Sequence, residues 1–162
     1  MPHTHSPDAE PHCHASAHSK APSSGPWKLT SSATLHCLTG CAIGEFIGLA
    51  IGTSLGWGPW QTMGLAVLLG FVSGFALSLI PLLRSGLSLG AAWRSIWLGE
   101  TISIAVMELA MNTADYHVGG VTAGSVLHPQ FWLGYGAALL AGFSAAWPVN
   151  FVLLRKNLKN CH

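Results

Sequence analysis

Four stretches of roughly twenty residues, each carrying little or no charge, constrain this chain more than any other feature. A helix rising about 1.5 Å per residue needs that length to cross hydrocarbon. They fall at about 33–56, 61–83, 90–113 and 130–154. None alternates like the strand of a membrane barrel, and in lipid only helices or closed barrels satisfy their own backbone. The expected fold is therefore all-α, a four-transmembrane-helix bundle with a disordered His-containing N-terminal tail. Composition agrees, because Asp, Glu, Lys and Arg make up 8% of the chain against roughly 25% in soluble domains. The breaks also carry turn chemistry: Trp57-Gly-Pro-Trp60, then Arg84-Ser-Gly86, then a longer polar connection from Gly119-Gly120 to His128-Pro129.

The chain divides into a tail, a bundle and a short end. Residues 1–32 hold five Pro, seven Ser and five His, a composition that cannot bury enough apolar surface to fold. No short basic leader directly precedes the first apolar run, so the tail does not read as a secretory signal. The bundle covers 33–155, and 156–162 form a C-terminal extension.

Seven Lys and Arg orient the bundle. Lys20 and Lys28 precede the first span, Arg84 and Arg94 surround the second break, and Arg155, Lys156 and Lys159 close the chain. All fall on one side of a four-span arrangement. The positive-inside rule then predicts a multi-pass protein of the cell inner membrane with both termini cytoplasmic. Seven cations against six acids make no basic field for capturing nucleic acid by counterion release, so the bilayer is the expected partner and nucleic acid is not.

The spans are not purely apolar. On the first, Gly40, Gly44, Gly48 and Gly52 recur every four residues, a pattern that lets a second backbone approach closely. At 100° per residue, Cys37, Cys41 and Glu45 lie at the edge of that glycine face, and His36 adjoins them. On the third span Glu100 sits near the middle, and Glu108, Met111, Asn112 and Asp115 share one face. Met107 flanks that face and Ser103 lies at its margin. An acid at bilayer centre costs about 2.5–3.5 kcal/mol on insertion scales, and no basic residue is placed to pair with these. Protonation, hydrogen bonds to Ser, Thr and Asn, a hydrated cavity or a bound cation must compensate. Near the end of the fourth span, Pro148 removes a donor beside Asn150, which predicts a kink, read first as an ordinary bend with Asn150 reaching the headgroups and second as a gate.

The run His36-Cys37-Leu-Thr-Gly-Cys41-Ala-Ile-Gly-Glu45, the segment Glu100-Thr-Ile-Ser103 continuing to Glu108, and Gly142-Phe143 leading to Pro148-Val149-Asn150 together resemble a bacterial family of small integral membrane proteins, domain of unknown function 4396. The resemblance covers about 33–155 and implies a four-span membrane fold. It brings no activity and no assigned residues.

Function is thus read from donor chemistry. Imidazole, thiolate and carboxylate together suit transition-metal ions. The expected intramembrane metal residues are His36, Cys37, Cys41, Glu45, Glu100, Glu108, Met111, Asn112 and Asp115. A second expected set lies in the tails: His3, His5, His12, Cys13, His14 and His18, with Cys161 and His162 at the other end. Thiolates with Met107 and Met111 suit Cu⁺, and His with carboxylates suits Zn²⁺. A membrane protein that binds and transports a copper- or zinc-type cation is the leading expectation. A membrane redox or metal enzyme is the second, weakened because no Glu-x-x-His pair occurs in a span and the thiols lack Cys-x-x-Cys spacing. A non-catalytic assembly subunit, packing by its glycine faces into a homo-oligomer or onto another membrane protein, is the third. No Walker, Rossmann or hydrolase motif is present, so an enzyme is the less expected outcome.

Overall fold

The computed structural model describes residues 26–156. The candidate ligands of the N-terminal tail, and Cys161 and His162, lie outside them. Four helices follow one another: α1 (Pro26–Ser54), α2 (Pro59–Arg84), α3 (Leu89–Val118) and α4 (Pro129–Arg155). The second to fourth helices stand where the hydropathy pattern puts them, lengthened by one to five residues at their ends. The first boundary moves further. Residues 26–32, read above as tail, are the opening turns of α1. Trp27 holds that extension in place by stacking on Trp147 at 5.0 Å, with Phe151 at 5.7 Å. These ring contacts between α1 and α4 outweigh the Ser-rich local composition.

The breaks behave as their residues dictate. Ser88 caps α3 by accepting from the Ala91 amide, and the His128 ring accepts from Gln130 at the start of α4. Gly119 ends α3 at φ 87°, a left-handed conformation that only glycine adopts without strain, and returns its amide to the Asp115 carbonyl.

Around the bundle, α1 neighbours α2 and α4, and α3 neighbours the same two helices, with α1 and α3 meeting across the centre. The closest packing is within the hairpins α1–α2 and α3–α4. The glycine stripe of α1 explains the first. A Cβ added at Gly44 would strike the Leu69 carbonyl, at Gly48 the Ala66 backbone and at Gly52 the Thr62 side chain. The α2 face that fits it is itself small every fourth residue, from Thr62 through Ala66, Gly70 and Gly74 to Ser78. Ser73 adds a hydrogen bond to the Gly40 carbonyl at 2.6 Å. In α3–α4, Gly142 receives Met107 and Met111, and Gly120 lies against Gly134.

The hairpins repeat one register. Cys37, Gly40, Cys41, Gly44, Glu45, Gly48, Leu49 and Gly52 are buried on α1. Glu100, Ser103, Ile104, Met107, Glu108, Met111, Asn112 and Asp115 are buried on α3 with the same spacing. Glu45 and Glu108 hold equivalent places in the two halves.

Outward, the surface is apolar: Ile43, Ile47, Ile51, Leu68, Val72, Leu109 and Leu140 are exposed. Among the described residues, α1, α2 and α4 are long and apolar enough to cross a membrane. α3 is as long but falls short of that hydropathy, since Arg94, Glu100, Glu108, Asn112 and Asp115 lie along it. Its acids face inward, and its outward face carries Ile102, Ala105 and Leu109.

Candidate functional site

The polar residues of α1 and α3 meet along the bundle axis, with α4 completing the wall. From the end where the described residues begin and finish, Asn150 of α4 is wholly buried and donates through Nδ2 to Thr34 Oγ1 at 3.0 Å. Its Oδ1 accepts from Ser103 Oγ at 2.7 Å. Ser103 lies 3.7 Å from the Cys37 sulfur, whose thiol also points to Glu100 Oε2 at 3.9 Å. One helical turn further along α1, the Cys41 thiol is close to both Cys37 and Glu108. Asn112 then donates to the Glu108 carbonyl at 2.9 Å and to its carboxyl at 3.4 Å.

Beyond this point the column is lined by carboxyls. Glu45 is fully buried, and neither of its carboxyl oxygens has a hydrogen-bond partner among the described residues. It lies within electrostatic reach of Glu108 and Asp115 on α3, and Tyr135 of α4 lies within reach of Glu45. Tyr135 donates its hydroxyl to the Ala42 carbonyl at 2.9 Å. Glycines make room for the acids: a Cβ at Gly70 would strike the Glu108 carboxyl, and one at Gly120 or Gly134 the Asp115 carboxyl.

Sulfur occupies the middle. Cys37, Cys41, Met107 and Met111 are all at most 2% exposed and belong to one buried cluster with Ile104, Ala138 and Ala146. Two thiols and two thioethers are soft ligands. Among the described residues, no three His, Cys, Asp or Glu side chains converge into a group that would hold a metal ion. The donors are distributed along the axis in pairs and neighbours.

Eight of the nine intramembrane residues anticipated from sequence are in this column. His36 is the other. It is exposed, and its Nε2 donates to the Leu77 carbonyl of α2 at 3.4 Å. That carbonyl is the one Pro81, four residues on, leaves without its helical donor. His36 therefore serves the α1–α2 contact. The sequence reading also sends Asn150 to the headgroups, whereas it is the buried link between α1, α3 and α4. The available signal is the stripe Gly134, Ala138, Gly142, Ala146, which continues at the same four-residue step to Asn150.

Replacing Asn150 by leucine should cost about 1–3 kcal/mol, because Ser103 and Thr34 each lose a buried partner. Thermal unfolding in detergent micelles measures this, and a change below about 0.5 kcal/mol would show that the bridge carries no weight.

The model of a family described as Domain of unknown function (DUF4396) matches residues 26–159. No curated protein and no solved structure matches the chain.

Proposed function

Since the chain belongs to the DUF4396 family, which brings no activity with it, we propose from its own side chains that it carries a soft transition-metal cation, copper(I) in type, across a membrane through the interior of its bundle. The observation that supports this most directly is that four sulfur-bearing residues, Cys37, Cys41, Met107 and Met111, belong to one buried cluster. Carboxyls of Glu100 and Glu108 adjoin that cluster and supply negative charge for a cation. Oxygen donors alone would favour a harder ion, and among the described residues no imidazole stands in the column.

The spread of donors suits passage. Conduction needs sites attractive enough to enter and weak enough to leave. Pairs placed along an axis allow an ion to exchange ligands stepwise, from Cys37 and Cys41 to Glu108 and on past Glu45 to Asp115. The column runs between two tightly packed hairpins, so a small rotation of one against the other opens it without disrupting either glycine-packed contact.

The membrane is the inner membrane of the cell, with both termini cytoplasmic. Lys28, Arg84, Arg94, Arg155 and Lys156 all stand at the end of the bundle that carries the described termini, which is the distribution the positive-inside rule requires of a cytoplasmic face.

Transport in reconstituted vesicles tests the proposal. Proteoliposomes should accumulate copper(I) faster than protein-free vesicles and show no comparable uptake of potassium. Glu108→Gln keeps the side-chain shape and removes the charge. It should slow copper(I) uptake by about tenfold or more, the effect of losing about 1.4 kcal/mol of stabilisation. Uptake equal to that of protein-free vesicles would sink the transport reading.

A further inference from the structure

At the end of the bundle holding the described termini, α1 and α4 leave a groove of about 160 Å³ lined by Leu29, Thr30, Phe151, Leu154 and Arg155. The lining is apolar apart from Thr30, which is buried, and Arg155. The Arg155 guanidinium lies 5.5 Å from the centre of the Phe151 ring, a cation–π placement that holds the charge over the groove. Lys28 opens α1 beside Leu29 and Lys156 follows Arg155, and all three cations are exposed. The four acids of the described residues, Glu45, Glu100, Glu108 and Asp115, are all buried in the bundle interior. None of them stands at this end of the bundle to neutralise the three cations.

We propose that this groove is the binding site of one anionic phospholipid, with its phosphate on Arg155 and a segment of acyl chain along Leu29, Phe151 and Leu154. Charge complementarity selects the headgroup: guanidinium donates in a planar fork that matches phosphate oxygens, and Lys28 and Lys156 add positive potential. Apolar lining below a cationic rim requires a ligand that is acidic at one end and hydrocarbon at the other. A bilayer supplies such a molecule at this depth, where Trp27 and Trp147 also sit as interfacial aromatics. The proposal rests on the membrane reading of the bundle and is independent of the cargo in its interior.

Native mass spectrometry of the full chain, purified in mild detergent and delipidated, tests it. Dioleoyl phosphatidylglycerol should bind about tenfold more tightly than dioleoyl phosphatidylcholine, the factor given by about 1.4 kcal/mol. Arg155→Gln should abolish that preference and Arg155→Lys should retain part of it. Leu29→Trp fills the groove without changing charge and should weaken phosphatidylglycerol binding. Arg84→Gln, at the same end but on the α2–α3 side, should leave the preference intact. Excess inorganic phosphate should not displace the bound lipid. Equal affinity for the two lipids, an intact preference in Arg155→Gln, full-strength binding in Leu29→Trp, an equal loss in Arg84→Gln, or displacement by inorganic phosphate would each overturn the assignment. Circular dichroism of Arg155→Gln should match wild type, since the exposed residue ends α4.

Discussion

Alanine at Gly44 is expected to destabilise the bundle by about 3 kcal/mol, whereas alanine at Gly64 should leave it unchanged or stabilise it by up to about 1 kcal/mol. Both residues are helical glycines with the same intrinsic preference for replacement. Their surroundings differ. A Cβ at Gly44 collides with the Leu69 carbonyl and the Ser73 hydroxyl, and nothing lies within 4 Å of a Cβ at Gly64. Backbone cannot move aside as a flexible side chain can, so α1 and α2 must separate along their glycine-packed contact. That separation loosens the Gly40 to Gly74 approach and the Ser73 hydrogen bond on the same face. Unfolding of the two variants in parallel, by heat or by titration with a denaturing detergent, measures the contrast. Equal stability of the two would show that α1 and α2 do not depend on this close approach.

The second large effect concerns the interior. Substituting Cys37 and Cys41 together by alanine should lower copper(I) affinity by at least about 100-fold, more than outer-shell changes at metal sites ordinarily produce. Both cysteines belong to the buried cluster, and one turn apart on α1 their thiols lie close to each other. Alanine removes both sulfurs, of which that of Cys41 stands beside Gly74, and leaves a small apolar side chain that suits the helix at each position. Competition with a coloured copper(I) chelator gives the affinity, and circular dichroism confirms the helices. Each single variant should fall between wild type and the double variant. Undiminished copper(I) binding by the double variant would reduce the cysteines to packing residues. Retained zinc binding alongside lost copper(I) binding would locate a separate oxygen site at the carboxyls.

Much of this site is legible in the sequence because helices make local periodicity a reliable guide to orientation. The acids of α3 share a face by their spacing alone, and Cys37, Cys41 and Glu45 border the glycine stripe for the same reason. Periodicity gives a direction, but it does not identify what stands opposite. His36 shows the limit: it is next to Cys37, and the 100° step carries it out of the column to a carbonyl on α2. Asn150 shows the converse. Its neighbour Pro148 suggests a bend at the headgroups, whereas Ser103 and Thr34, both more than forty residues away in the chain, decide that it is buried. The opening turns of α1 were also beyond local reading, since Trp27 is held by Trp147 and Phe151 on α4.

Read alone, the sequence dictates four helices, the glycine face of α1 with Cys37, Cys41 and Glu45 at its edge, and one shared face for Glu108, Met111, Asn112 and Asp115 on α3. These follow from length, hydropathy and the helical repeat, which act within a single element. It is the packing of the helices that brings α1 and α3 together across the centre, gathers Cys37, Cys41, Met107 and Met111 into one buried cluster, and makes Asn150 join three helices. Those are relations between segments distant in the chain, and they depend on which backbones can approach at glycine and which side chains then fill the remaining space.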